Sequence, residues 1–473
     1  MRRIVLGPFN RVEGDLEISL DVDAGQVMAA RVNSPLFRGF EQILIGRAAQ
    51  DALVIVPRIC GICSVAQSAA AAAALADLCA VEMPGNGRLA RHLVQATENL
   101  ADHLTHFYLF FMPDFARTDY VDRNWHAAVA ARFAAVTGSA APAVLVARAN
   151  FLKLLGFLAG KWPHTLALQP GGSTRAIGSA EVIRIRALLR GFRAFLEAEL
   201  IGDTLESFAA LASEAEMRAW GEMCGGDFPS FLRAAYDLSL ERVGRAGDGF
   251  LSYGAYGLFA NGVWQTDGAV DALETGKITE DSRHAWLLEG PPRPPAEGET
   301  YVDAEKAGAY TWCKAPRYGG RILETGALAR QVVAGQPLAR DLVARHGASV
   351  TARIVARMIE LASVLPAMER WVRDIVPGEA FCQAAALPES GQGVGLVEAA
   401  RGSLGHWVSL KRGHIERYQI IAPTTWNFSP RDADGQPGPL ERALVGLPAG
   451  EGSPPTIQHV VRSFDPCMVC TVH

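Results

Sequence analysis

The chain has 473 residues, enough by length for about three domains or for one large core with insertions, so length leaves the domain count open. Nearly half of the residues are apolar and a fifth are charged, the balance of a folded globular protein and not of a disordered one. A net charge of -5 offers no positive field to a phosphate backbone or an anionic membrane, which excludes nucleic acid as an expected partner.

The first ten residues include Arg2 and Arg3 but no apolar stretch, so no secretory signal is expected in this chain. Next, Leu16, Ile18, Leu20 and Val22 alternate with Glu17, Ser19 and Asp21, and Asp23-Ala24-Gly25 turns the chain into residues 26–32. This pattern predicts a β-hairpin. Residues 64–80 are dominated by alanine, and apolar residues recur at helical spacing over 87–111, predicting two long helices. The alanine run 69–76 is bounded by Gln67, Ser68 and Asp77 and is far too short to span a membrane. Further helices are predicted over 180–200, 203–216 and 349–375, where Pro366 is expected to end or kink the last. Pro291, Pro292, Pro294 and Pro295 make 287–299 a surface loop or an extended connection. No repeat is evident at the periods of roughly 20 to 50 residues that mark solenoids and propellers. The expected fold class is α+β, a large mainly helical core with small β-hairpin and sheet elements.

Eight cysteines, Cys60, Cys63, Cys79, Cys224, Cys313, Cys382, Cys467 and Cys470, read as thiols or metal ligands in the absence of a signal sequence. Cys79, Cys224, Cys313 and Cys382 stand singly, as small buried apolar residues commonly do. The others form two pairs, Cys60-Gly61-Ile62-Cys63 and Cys467-Met468-Val469-Cys470, whose spacing lets both sulfurs of a pair converge on one ion. Thiolates suit zinc, iron-sulfur clusters or thiophilic metals such as nickel. Two bare pairs point first to a structural zinc and second to a redox dithiol. Zinc ribbons, however, set their pairs about 15 to 20 residues apart, whereas almost the whole chain separates these. Spacing alone leaves the metal undecided; if both pairs bind one centre, the two chain ends must meet.

Arg58-Ile59-Cys60-Gly61-Ile62-Cys63 and Asp465-Pro466-Cys467-Met468-Val469-Cys470-Thr471-Val472-His473 resemble the two signature motifs of [NiFe]-hydrogenase large subunits. The resemblance extends, in family order, to Arg11-Val12-Glu13-Gly14, Phe37-Arg38-Gly39-Phe40-Glu41, His103 with His106-Phe107-Tyr108, Lys314-Ala315-Pro316-Arg317-Tyr318, Glu398-Ala399-Ala400-Arg401-Gly402 and Pro423-Thr424-Thr425-Trp426-Asn427. It implies one large-subunit domain over 1–473, with Cys60 and Cys467 as terminal nickel ligands. Cys63 and Cys470 would bridge nickel to an iron carrying carbon monoxide and cyanide. Hydrogen is a very weak acid, so cleaving it needs a metal acceptor and a nearby base: Cys467, with Glu13 next in the relay. Arg401 would lie over the open coordination face, with Asp114 and Asp465 completing that outer shell and Thr424 donating to cyanide. Glu41, His473 and a main-chain carbonyl near Ile420 would hold magnesium. Read singly, Glu13 is a solvated loop residue, the aspartates are ion-pair members, and His103 and His106 are packing residues.

Because the single cysteines show no cluster spacing, electrons need an iron-sulfur small subunit, in a heterodimer or a dimer of heterodimers. The chain departs from the usual family pattern at Gln67, where histidine is common, and at Asp15 and Ala400. Glutamine cannot titrate near neutral pH, so its hydrogen bond toward a bridging sulfur is expected to be pH-independent. Gln67 with Ser64-Val65-Ala66 resembles the regulatory, hydrogen-sensing branch and also cyanobacterial uptake enzymes, and a chain ending at His473 fits a sensor made without a cleaved extension. Three functions follow: a cytoplasmic hydrogen sensor that signals through a histidine kinase, an uptake hydrogenase feeding respiration, or a non-catalytic zinc-stabilised scaffold.

Overall fold

β1 (Arg2–Leu6), β2 (Glu17–Asp23) and β3 (Gln26–Asn33) form an antiparallel sheet in that order in the computed structural model, which describes residues 2–247, 249–265, 268–450 and 454–473. The expected hairpin is the β2–β3 pair, with Ile18, Leu20, Val27, Ala30 and Val32 buried. β1 is an addition, paired with β2 through a five-residue register too short to read as a periodic signal.

α1 (Ser64–Cys79) starts directly after the first cysteine pair, with Cys63 as its N-cap residue. Its alanines are explained by what it lies on, the antiparallel sheet β4 (Gly391–Ala399), β5 (Gly402–Lys411) and β6 (His414–Ile421). A Cβ at Gly395 would stand 2.0 Å from the Ala70 carbonyl oxygen and one at Gly393 would stand 2.2 Å from that of Ala74. Helix and sheet therefore meet backbone to backbone, and only small residues fit between them.

α2 (Gly85–Thr105) continues into a π-helical turn at His106–Phe111, so the periodicity over 87–111 is one continuous rod. α3 (Ala140–Ala159), which the sequence reading passed over, is long and apolar enough by length and composition to cross a membrane. Its Val144, Phe151, Leu154, Leu155 and Leu158 are buried, and it packs on α2 and α4 (Ser179–Phe195). The helix expected over 203–216 is two, Leu205–Ala209 and Glu214–Met223, because the Thr204 and Ser213 side chains each cap a new start. α5 (Val350–Asp374) runs through Pro366 without ending. Leu361, Val364, Leu365, Ala367 and Met368 are buried around the proline. At about 1.5–3 kcal/mol per large apolar side chain, their burial outweighs the roughly 3 kcal/mol that an internal proline costs.

Short C-terminal helices complete the frame, among them α6 (Pro423–Asn427), α7 (Pro455–Ser463) and α8 (Met468–Thr471). One apolar core draws on both termini, from Leu16 and Ile18 to Cys467, Met468 and Cys470. The class is α+β and mainly helical, as the sequence implied. The proline-rich segment is mostly exposed, with one 3-10 turn at Pro295–Glu297.

Candidate metal centre

The two cysteine pairs, about four hundred positions apart, meet: the Sγ atoms of Cys60, Cys63, Cys467 and Cys470 all lie within 4.8 Å of one another. All four thiols are free and buried. Cys63 and Cys470 are 2.9 Å apart, Cys467 and Cys470 2.9 Å, and Cys60 and Cys467 3.5 Å. Two devices hold the loops together. The Met468 N–H donates to the Glu13 carbonyl at 2.7 Å and the Glu13 N–H to that of Pro466 at 3.3 Å, so the N-terminal loop pairs with the second motif. Gly14, at φ +82°, permits this: a Cβ there would stand 2.9 Å from Val469 Cγ1. Arg38 supplies the second device, donating to the Ile59 carbonyl at 2.7 Å and also to that of Val469, one from each motif.

The donor set fits a multivalent metal. Hydrogen bonds from Cys467, Cys470 and Cys63 hold Cys60 well below the usual thiol range, whereas Cys63, through its bonds to Cys467, Cys470 and Cys60 and by burial, is held well above it. Burial raises Cys467 and carries Cys470 well above that range. Burial and mutual repulsion oppose ionising all four thiols together, and a cation of high charge would offset that cost.

Around the sulfurs lies a charged ring. Half-buried Glu13 is pushed up, first by desolvation and then by the negative field of Cys60, with Arg401 and Arg38 pulling the other way. Arg401 is buried and shared between two carboxylates: it lies 3.0 Å from Asp102 Oδ2 and donates to Asp465 Oδ1 at 3.1 Å. Burial pushes Asp102 up to about 7. Asp465 is held low in spite of burial, by Arg401 with His106 and Arg357. The Thr424 hydroxyl accepts from the Cys467 N–H at 3.1 Å and keeps its own hydrogen free to give.

The family model for nickel-dependent hydrogenases matches residues 38–139 and 143–473. The chain belongs to that family. The large subunit of the periplasmic [NiFeSe] hydrogenase of Desulfomicrobium baculatum is 30% identical, the alignment covering all of this chain and 95% of the relative. The hydrogenase-2 large chain of Escherichia coli K12 is 26% identical, over 100% and 97%. The uptake hydrogenase large subunit of Rubrivivax gelatinosus is 24% identical, over 100% and 95%. Among solved structures, the reduced Ni-Fe-Se hydrogenase of D. vulgaris Hildenborough superposes with a TM-score of 0.85 at 30% identity, covering both chains in full. An H2-activated form of the Dm. baculatum enzyme gives 0.86 at 28%, again over both whole chains. This nickel-dependent hydrogenase chain is the large subunit of a [NiFe] hydrogenase, the H2-cleaving part of an oxidoreductase.

Not every residue expected at the hydrogenase centre is there. Asp114 does not face Arg401: it pairs with Arg11 and, at 2.6 Å, with Arg462, which also holds the Asn10 carbonyl at 2.9 Å. The second carboxylate on Arg401 is Asp102. Its signal was its place beside His103 at the start of a family motif; Asp114 lies past the end of the rod, in the 3-10 turn Met112–Ala116, and turns to another side. The Gln67 Oε1 lies 2.9 Å from His406 Nε2, and His406 Nδ1 lies 2.8 Å from the Tyr418 hydroxyl. Gln67 is thus tied through His406 into a buried chain reaching β5 and β6. Burial holds His406 down to about 3, a neutral ring.

Glu41 and His473 meet, with His473 Nε2 3.3 Å from Glu41 Oε1. The Ile420 N–H donates to Glu41 at 2.8 Å, which brings the main chain at this position up to the pair. Lys314 enters too, 3.4 Å from Glu41, 3.1 Å from Glu280 and 2.7 Å from the Gln419 side-chain oxygen. Although burial opposes it, Lys314 and His473 hold Glu41 down to about 2. His103 lies 3.3 Å from Glu360 and His106 2.6 Å from the Arg462 carbonyl, both fully buried. Among the described residues, Cys79, Cys224, Cys313 and Cys382 join no metal-holding group.

Proposed function

We propose that this large subunit serves a slow hydrogen sensor, and that Cys60, Cys63, Cys467 and Cys470 would hold its nickel-iron centre. Such a centre, with carbon monoxide and cyanide on iron, would supply the acceptor for the electron pair of hydrogen. Cys467 takes the proton and Glu13 receives it next; Glu13's raised affinity for a proton, set by burial and the Cys60 field, suits that role. Asp102 and Asp465 aim Arg401 at the open face, and the spare Thr424 hydrogen is available to cyanide. Glu41 and His473 hold a magnesium ion. Glu41, held ionised beside Lys314 and His473, offers the kind of carboxylate oxygen that such a cation takes.

The sensor reading is carried by Gln67, whose bond to His406 puts a non-titrating chain beside the first cysteine motif. We assign the chain one domain over 1–473, the cytoplasm, an iron-sulfur small subunit in a heterodimer or a dimer of heterodimers, and a histidine kinase that receives the signal. Infrared spectroscopy of the purified complex tests the centre, since protein is nearly transparent where metal-bound carbon monoxide and cyanide absorb. Silence there, or zinc without nickel on metal analysis, removes it. Turnover with an artificial acceptor tests the sensor: on the order of one per second or slower is expected, and hundreds per second would favour the uptake role that the Rubrivivax relative is named for.

A further inference from the structure

The first turn of a helix leaves about four backbone N–H groups without helical partners. At α1, Cys63 as N-cap residue offers no side-chain bond to them. Their partner comes from α2. The buried Glu98 carboxylate accepts from the Val65 N–H at 2.9 Å and from the Ala66 N–H at 3.0 Å, one on each oxygen. The Trp162 indole N–H donates to it at 2.9 Å, and the Ser64 hydroxyl lies 3.4 Å away. All four neighbours can donate, so the pocket is shaped for the ionised form, while burial pulls the other way and raises the group to about 8.

We infer that Glu98 is a positioning residue for the metal centre, pinning the first turn of α1 and with it the Cys60–Cys63 loop, and offsetting the helix's positive end where it meets Cys63. The aligned peptide dipoles place roughly half a positive charge at a helix N-terminus. Cys63 sits at that end. Uncompensated, the charge stabilises the thiolate and weakens what it donates to a metal; a carboxylate on the same N–H groups cancels much of this. Screening is slight, since Glu98 and Cys63 are both buried. The inference rests on the four-thiolate centre proposed above, and its test has two separable parts.

Infrared spectra of the native complex are compared with Glu98→Gln and Glu98→Asp at about pH 9, where a carboxyl raised to about 8 is ionised. Glu98→Gln removes the charge, so the metal-bound diatomic bands move to higher frequency; Glu98→Asp keeps the charge and leaves them in place. Native band positions in Glu98→Gln, or equal displacement in both variants, would overturn the electrostatic part. Bands absent from the native complex would sink the centre itself and leave the pinning to be judged by hydrogen exchange on the metal-free chain. There, exchange at the Val65 and Ala66 amides rises about tenfold in Glu98→Gln, the equivalent of one charge-assisted hydrogen bond lost, while the Leu75 amide is unmoved. Unchanged protection at Val65 and Ala66 overturns the pinning. Glu98→Leu, which keeps the bulk of the side chain without an acceptor, gives the same reading if the glutamine variant does not fold.

Discussion

Arg401 divides one guanidinium between Asp102 and Asp465, while Asp114 divides one carboxylate between Arg11 and Arg462. The two sites answer differently to neutralisation. Asp102, already pushed up to about 7 by burial, loses little when it becomes an amide, so Asp102→Asn is expected to keep the fold and nickel but to slow hydrogen cleavage. Asp114→Asn leaves Arg462 buried without its carboxylate and is expected to destabilise by about 3–5 kcal/mol. Unfolding free energies and activity, measured on both, check the pair; the reverse pattern would return Asp114 to the outer shell. Glu13→Gln is expected to cut hydrogen oxidation by about 10²–10⁴-fold with nickel content unchanged, because the amide cannot relay a proton. Activity within about threefold of native would remove Glu13 from the relay.

The contact between α1 and β4 has no slack. Gly395→Ala puts a methyl 2.0 Å from the Ala70 carbonyl, a backbone atom that cannot yield without moving α1 and Cys63 with it. The expected cost is about 3 kcal/mol or more, with nickel per chain falling in parallel. Gly191→Ala, in α4 with nothing within 4 Å of its Cβ, is the control and is expected to gain about 0.5–1 kcal/mol. A second junction has a pH signature. Glu441, in the helix Pro439–Leu444, accepts from the Val32 N–H of β3 at 3.1 Å and from the Tyr310 hydroxyl at 2.8 Å, and burial lifts it from 4.5 to about 7. The folded chain therefore holds this proton over a range where the unfolded chain has released it. Between about pH 4.5 and 7 the group's stabilisation is progressively lost, by up to about 3 kcal/mol. Urea midpoints at pH 5 and pH 7 should differ less in Glu441→Gln than in the native chain; an equal difference would show that Glu441 does not titrate on unfolding.

Over the whole molecule, the centre depends on joining two remote segments, and Arg38 performs the join between Ile59 and Val469. Arg38→Ala removes a charged donor from two main-chain carbonyls, worth about 1.5–3 kcal/mol each. The chain is expected to fold but to retain much less than one nickel. Nickel analysis of the purified complex decides this, and full occupancy would reduce Arg38 to a surface contact.

The cysteine pairs, the hairpin and the two rods after Cys63 were legible in the sequence, because ligand identity, two-residue alternation and helical periodicity are local properties of neighbouring residues. So was the family, since its motifs are short and contiguous. Pro366 inside α5 and the restart at Ser213 were not, because there burial and capping by particular side chains override the periodic signal. Which aspartate faces Arg401, that the Ile420 N–H donates to Glu41, and that Glu98 receives the first turn of α1 were decided by tertiary structure alone. Each of those contacts joins residues that are remote in sequence, or depends on which way a peptide or a helix face turns once packed, and no local pattern encodes that direction.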